Sequence, residues 1–155
     1  MLSTRTVISA DSAGVIFIRY LIRFATGDVM CCGGDERGEF VHNDCIFCKI
    51  AAKEIPVKII YEDDHVLAFP DINPMAPVHI LVIPKQHFDS LLTVKPEEMP
   101  IVAQVMAALP AVAEKAGVTG EGFRIVVNTG GNGGQTVNHL HWHLLGGRIM
   151  SWPPG

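Results

Sequence analysis

The sequence predicts an α+β domain built on a five-stranded, mainly antiparallel sheet, and three observations carry that prediction. Short β-forming runs recur between residues 58 and 145, one stretch from Glu97 to Ala116 keeps a helical apolar period, and Gly, Pro and Asp residues punctuate the gaps. The chain has 155 residues, of which 48% are hydrophobic and 18% charged, enough apolar material for one core of ordinary domain size.

From Asn43 onward the elements can be placed in order. Asp44 stands as an N-cap before Cys45-Ile46-Phe47-Cys48-Lys49-Ile50-Ala51-Ala52-Lys53-Glu54, a short helix closed by Pro56. Lys58 to Glu62 and Val66 to Phe69, joined by Asp63-Asp64, read as a β-hairpin. A loop containing Pro74 and Pro77 leads to His79-Ile80-Leu81-Val82-Ile83-Pro84, whose β-branched run suits a central strand ended by its proline. In the long helix, apolar residues fall at 102, 105, 106, 109, 112, 113 and 116, and Gly117 stops it. Pro100 is tolerable in the first turn, whereas Pro110 should kink the helix or divide it in two. Phe123 to Asn128 and His139 to Leu145 complete the strands, with the glycine-rich loop Thr129 to Gln135 between them. Trp152-Pro153-Pro154-Gly155 forms an extended tail.

Residues 1–42 read as an extension to the domain at 43–155. They lack a sustained period and carry three arginines and one acid in the first 27 residues. The Val15 to Phe24 stretch is open to three readings: a disordered tail, an organelle-targeting helix, or an element packed on the domain. The longest apolar run, Val15 to Ala25, is broken by Arg19 and Arg23 and falls short of the roughly 20 residues of a bilayer span, so no membrane association is expected. A net charge of −4 supplies no global positive field for nucleic acid. Adjacent Cys31 and Cys32 and the Cys45-x-x-Cys48 pair do not form a dispersed disulfide framework, so a reducing, cytoplasmic compartment is expected.

The segment His139-Leu140-His141-Trp142-His143-Leu144-Leu145 alternates three histidines with large apolar residues. In a strand, that alternation sends Leu140, Trp142 and Leu144 into the core and aligns the imidazoles on the opposite face, about 7 Å apart. A lone histidine on a strand is usually an ordinary hydrogen-bonded residue, but three in register make a presented site. Imidazoles offer either metal ligation or nucleophilic and acid–base catalysis. The adjacent Gly130-Gly131-Asn132-Gly133-Gly134 run lets backbone N–H groups converge on an anion, which favours a phosphate beside the histidines. It lacks the Gly-Lys-Ser/Thr ending of the common nucleotide-triphosphatase loop.

The His-φ-His-φ-His-φ-φ pattern of 139–145 resembles the signature of the histidine triad superfamily. Asp44 to Ile50, Glu54-Ile55-Pro56, Ala68 to Pro74, His79 to Lys85 and the ending Gly146-Gly147-Arg148-Ile149-Met150-Ser151-Trp152-Pro153-Pro154-Gly155 resemble its nucleotide-binding Hint branch. The resemblance covers roughly residues 43–155.

It implies that His141 attacks the α-phosphorus of a purine nucleoside 5′-phosphoramidate, giving a nucleotidyl-histidine that water resolves. His143 and Thr136 would contact the phosphoryl oxygens and assist the leaving amine, with His139 and Asn128 in support. Asp71 would hold the ribose hydroxyls, Ile46, Phe47, Ile50, Phe69 and Ile72 would form the purine slot, and Gly134 and Gln135 would belong to the nucleotide-binding loop. Cys45, Cys48, His87 and His139 resemble a structural Zn2+ site. A homodimer is implied, with the Trp152 tail reaching toward the partner's site.

Three departures stand out: Pro70 where His or Arg is frequent, Thr136 where Ser is common, and Pro110 in the long helix. His42, His65 and His79 read as surface or structural residues. The resemblance leaves two alternatives to compare with the phosphoramidase: a zinc-stabilised binding module with incidental catalysis, and a dinucleoside polyphosphate hydrolase, against which the C-terminal ending counts.

Overall fold

A computed structural model describes residues 3–10, 16–23 and 44–154, with side chains from Asp44 onward. The chain divides into two units, Met1–Arg37 and Gly38–Gly155. In the first, β1 (Ser3–Ala10) pairs antiparallel with β2 (Ile16–Arg23), Ser3 opposite Arg23 and Ala10 opposite Ile16. Within the stretch read as open to a targeting helix, Ile16–Arg23 is therefore a strand, consistent with its Ile-Phe-Ile and Tyr-Leu-Ile content. His42, Cys31 and Cys32 lie outside the described residues.

In the second unit, α1 (Ile46–Ala51) opens the domain. Its N-cap is Cys45, not Asp44, and no side-chain oxygen caps it. A five-stranded sheet follows in the order β3-β4-β5-β7-β6, every neighbouring pair antiparallel. Its strands are β3 (Tyr61–Glu62), β4 (Val66–Pro70), β5 (Val78–Pro84), β6 (Phe123–Val126) and β7 (Trp142–Gly146). The expected run from Lys58 contracts to two paired residues at the sheet edge. The Asp63 side chain makes the hairpin turn, Oδ1 accepting from the N–H groups of His65 at 2.8 Å and Val66 at 2.7 Å.

The long helix, α2 (Met99–Lys115), is undivided despite Pro110. Pro110 and Met106, whose carbonyl the proline leaves without its helical donor, both lie on the exposed face, where water can take that bond. At the other end the chain adopts the Schellman arrangement: Gly117, at φ +73°, donates to the Glu114 carbonyl at 3.0 Å, and Val118 donates to Ala113 at 3.0 Å.

Sheet parity separates two apolar layers. Val66, Ala68, Ile80, Val82, Leu140, Trp142 and Leu144 face α2, which contributes Val105, Ala108, Leu109, Val112 and Ala113. Leu67, Phe69, Leu81 and Ile83 alternate with them and face the other way, covered by Phe47 and Ile50 of α1. The histidines of the final strand region belong to this second face.

Gly146 shows how closely the α2 exit approaches the sheet: a Cβ there would lie 2.7 Å from Val118 Cγ1. Gly146→Ala is expected to destabilise the fold by about 1–3 kcal/mol through overpacking, as measured by urea denaturation. Trimming Val118 to glycine in the same background should recover part of the cost of the clash, giving a non-additive double-mutant cycle.

Candidate functional site

The site starts from Phe47, buried by α1 between the sheet and the histidines. Its ring meets Phe69, His139 and His141 edge-on, with centroids 5.7, 5.7 and 5.4 Å away. These contacts fix the imidazoles from the apolar side, and the remaining orientation comes from hydrogen bonds.

His141 Nδ1–H donates to the backbone carbonyl of His139 at 2.6 Å. A carbonyl only accepts, so Nδ1 carries the ring proton and the lone pair of neutral His141 resides on Nε2. His143 lies with its ring centroid 4.9 Å from that of His141, closer than the strand spacing of about 7 Å suggests, because the rings lean together. Regular strand begins only at Trp142, so His139 and His141 occupy the segment leading into it.

His79, which the sequence left as a surface or structural residue, lies beside the triad. It is buried, and its Nε2 lies 2.9 Å from His143 Nδ1 and 3.4 Å from Asp71 Oδ2. Its Nδ1 accepts the Met75 N–H at 3.1 Å. The available signal was parity: His79 shares a face with Leu81, and Leu81 pairs with His143 across the sheet, which makes His79 and His143 diagonal neighbours. His65, by contrast, is exposed as expected.

Burial pushes the His143 imidazole down to about 4 from an ordinary 6.5, with the nearby His141 and His79 rings adding to the shift and Asp71 opposing it. His79 is lowered too, again mainly by burial, against the pull of Asp71.

These groups border a cavity of about 210 Å3. Buried Phe47, Ile50, Phe69 and Leu81 give it an apolar wall, while Ile46 and Ile72, 48% and 90% exposed, lie at its rim. Asp71, Asn73, Thr136, His141 and His143 supply the polar lining, and Pro70 also borders it. The structure thus brings Ile46, Phe47, Ile50, Phe69, Asp71, Ile72, Thr136, His141 and His143 to one cavity.

Asn128, Gly134 and Gln135 stand outside its lining. Asn128 Nδ2 lies 3.5 Å from His143 Nε2 and donates to the Gly134 carbonyl at 3.4 Å. Gln135 is committed to the loop itself: its Oε1 accepts the Gly130 N–H at 2.9 Å and its Nε2 donates to the carbonyls of Asp89 and Val137. Its backbone N–H is also used, on the Gly130 carbonyl at 3.1 Å. Gln135 therefore staples the glycine-rich loop shut on its far side.

His139 turns its fully buried ring away from the cavity. The ligand atoms of Cys45, Cys48, His87 and His139 all lie within 4.8 Å of one another. His139 Nδ1 is 3.4 Å from Cys45 Sγ and 3.6 Å from Cys48 Sγ, and His87 Nδ1 is 3.2 Å from both Cys48 Sγ and His139 Nδ1. Outer partners set both rings: His139 Nε2–H donates to the Pro84 carbonyl at 3.0 Å, and His87 Nε2–H to Asp89 Oδ1 at 3.2 Å. In neutral rings both Nδ1 lone pairs then point at one spot, an arrangement that suits a cation better than a hydrogen bond between them.

Comparison with known proteins agrees with this geometry. The HIT domain family matches residues 52–150. Protein HitA of Neisseria gonorrhoeae is 52% identical over 104 residues, covering 67% of this chain and 96% of that protein. A 14 kDa zinc-binding protein of Brassica juncea is 49% identical over 114 residues, covering 72% of this chain and 100% of that protein. The crystal structure of a HIT family hydrolase from Legionella pneumophila Philadelphia 1 superposes with a TM-score of 0.70 at 45% identity, covering 72% of this chain and 100% of that one. With its alternating histidines, its sheet and its cavity all in place, the chain belongs to the histidine triad (HIT) family.

Proposed function

We propose that the protein hydrolyses the P–N bond of purine nucleoside 5′-phosphoramidates through a nucleotidyl-histidine on His141. The observation that carries this reading is the 2.6 Å bond from His141 Nδ1–H to the His139 carbonyl, which leaves an unprotonated Nε2 on a ring that borders the cavity. The Nε2 lone pair attacks phosphorus, and the P–N bond breaks as the departing amine takes up a proton supplied by the groups around it. Water then cleaves the phosphorus–histidine bond, its oxygen going to phosphorus and its released proton replacing the one the amine took, which frees the nucleoside monophosphate and neutral His141.

His143 and Thr136 serve the phosphoryl group and the leaving amine, Asp71 takes the ribose hydroxyls, and the apolar wall stacks an adenine or guanine base. Asn128 supports His143. His139 acts on catalysis through its carbonyl, since its imidazole belongs to the cysteine cluster.

That cluster suits Zn2+. Zinc–sulfur bonds of about 2.3 Å and zinc–nitrogen bonds of about 2.0–2.1 Å put tetrahedral donors roughly 3.3–3.8 Å apart, close to the spacings found. The metal would be structural, joining α1 to the segment that carries the triad. A homodimer fits the half-exposed Met99 and Met106 of α2 and the 84%-exposed Trp152 of the tail. Among the described residues, Cys45 and Cys48 form no disulfide, which suits a cytoplasmic setting.

Amine release from an adenosine 5′-phosphoramidate tests the reaction. His141→Ala should abolish turnover while AMP binding persists, and His143→Ala should slow it by about 10²–10⁴-fold. A native protein that binds AMP but releases no amine would overturn the phosphoramidase reading.

Elemental analysis is expected to give one zinc per chain, and Cys48→Ser should lower both zinc content and melting temperature. Full stability in the metal-free protein would remove the structural role.

Stability should also depend on acid in a defined window. His143 binds its proton less readily when folded, so its contribution is complete above about pH 6.5 and is lost as pH falls from there toward about 4. Urea titrations of native protein and His143→Gln should therefore run parallel above pH 6.5, with the native protein losing more stability below it.

A further inference from the structure

His79 holds a single proton between two acceptors. Because its Nδ1 accepts from the Met75 backbone N–H at 3.1 Å, neutral His79 carries hydrogen only on Nε2. That Nε2 lies 2.9 Å from His143 Nδ1 and 3.4 Å from Asp71 Oδ2. The other carboxylate oxygen of Asp71 is already engaged, since Oδ1 accepts the Asn73 N–H at 2.8 Å. The Asp71 backbone N–H donates to the His79 carbonyl at 3.0 Å, which keeps the two residues in step. His79 is only 7% exposed, so water does not substitute freely in this arrangement.

We propose that His79 is a positioning residue that couples the sugar end of the cavity to His143: vicinal hydroxyls bound at Asp71 occupy Oδ2 and leave the His79 proton to His143 Nδ1. The proposal rests on the assignment of Asp71 to the ribose made above. When His143 Nδ1 accepts that hydrogen bond, the proton of His143 itself must reside on Nε2; Asn128 Nδ2, 3.5 Å away, is a donor committed to the Gly134 carbonyl, so the Nε2–H is left for a ligand in the cavity. When Asp71 has no hydroxyl partner, its Oδ2 competes for the His79 proton, and His143 is less firmly held in that tautomer. The low proton affinity of both imidazoles agrees with a neutral pair, one donating and one accepting. The sugar hydroxyls consequently act on the turnover rate as well as on binding.

Two measurements on the full chain test this. In the first, long-range 1H–15N correlation spectra of the imidazoles are recorded with AMP and with 2′,3′-dideoxy-AMP. His143 is expected as the Nε2–H tautomer with AMP and as a mixture with the dideoxy nucleotide. Identical spectra, or an Nδ1–H tautomer with AMP, would overturn the coupling.

The second compares adenosine 5′-phosphoramidate with its 2′,3′-dideoxy analogue. Loss of the diol should lower kcat about tenfold in the native protein, in addition to raising KM. In His79→Gln the side-chain amide offers two N–H groups, enough for Asp71 and His143 together, so the kcat ratio should fall toward one while the KM effect persists. An unchanged kcat ratio in that variant would defeat the proposal. If the native protein releases no amine from either compound, the phosphoramidase reading fails, and the tautomer spectra still decide the coupling.

Discussion

The alternation of side chains through residues 140–144 is the constraint on which everything else depends. Leu140, Trp142 and Leu144 are almost completely buried beneath α2, and this anchoring sends His141 and His143 to the opposite face. A shift of one residue would place imidazoles in the apolar layer and tryptophan in the cavity, so the energy of core packing also enforces the position of the two imidazoles. The site needs no separate device to keep its register.

His139 links two structures by using different parts of itself. Its imidazole faces Cys45, Cys48 and His87, and its carbonyl receives the proton of His141. The cluster therefore fixes backbone as well as side chains: any cation drawing the His139 ring into place also fixes the carbonyl that determines the His141 tautomer. Pro84, ending β5, contributes the carbonyl that orients the same ring. Two segments far apart in the chain, Cys45–Cys48 and Pro84–His87, thus converge on one residue outside the cavity lining.

Much of this was legible in the sequence because it depends on local period. Alternation identified the inward and outward residues around the triad, and helical spacing found α2 and all of its deeply buried positions except Ala108. The features that were not legible depend on partners. Pro110 looked disruptive because its sequence position says nothing of solvent on that side of the helix. Asp44 looked like a cap, but the cap position falls one residue later, on Cys45. His79 carried no local mark of function, since its importance comes from a diagonal contact across two antiparallel strands. Gln135 looked like part of an anion-binding loop because the bonds that consume its amide run to Asp89 and Val137, which spacing alone could not bring near.

The two tryptophans have a consequence for optical study. Trp142 is 2% exposed, on the reverse side of the strand that bears His143, whereas Trp152 is 84% exposed near the C-terminus. Their emission should divide into a blue component from the interior and a red component open to aqueous quenchers. Acrylamide or iodide would darken the second first, so a single intact chain without an added dye would carry separate signals for the layer behind the histidines and for the tail.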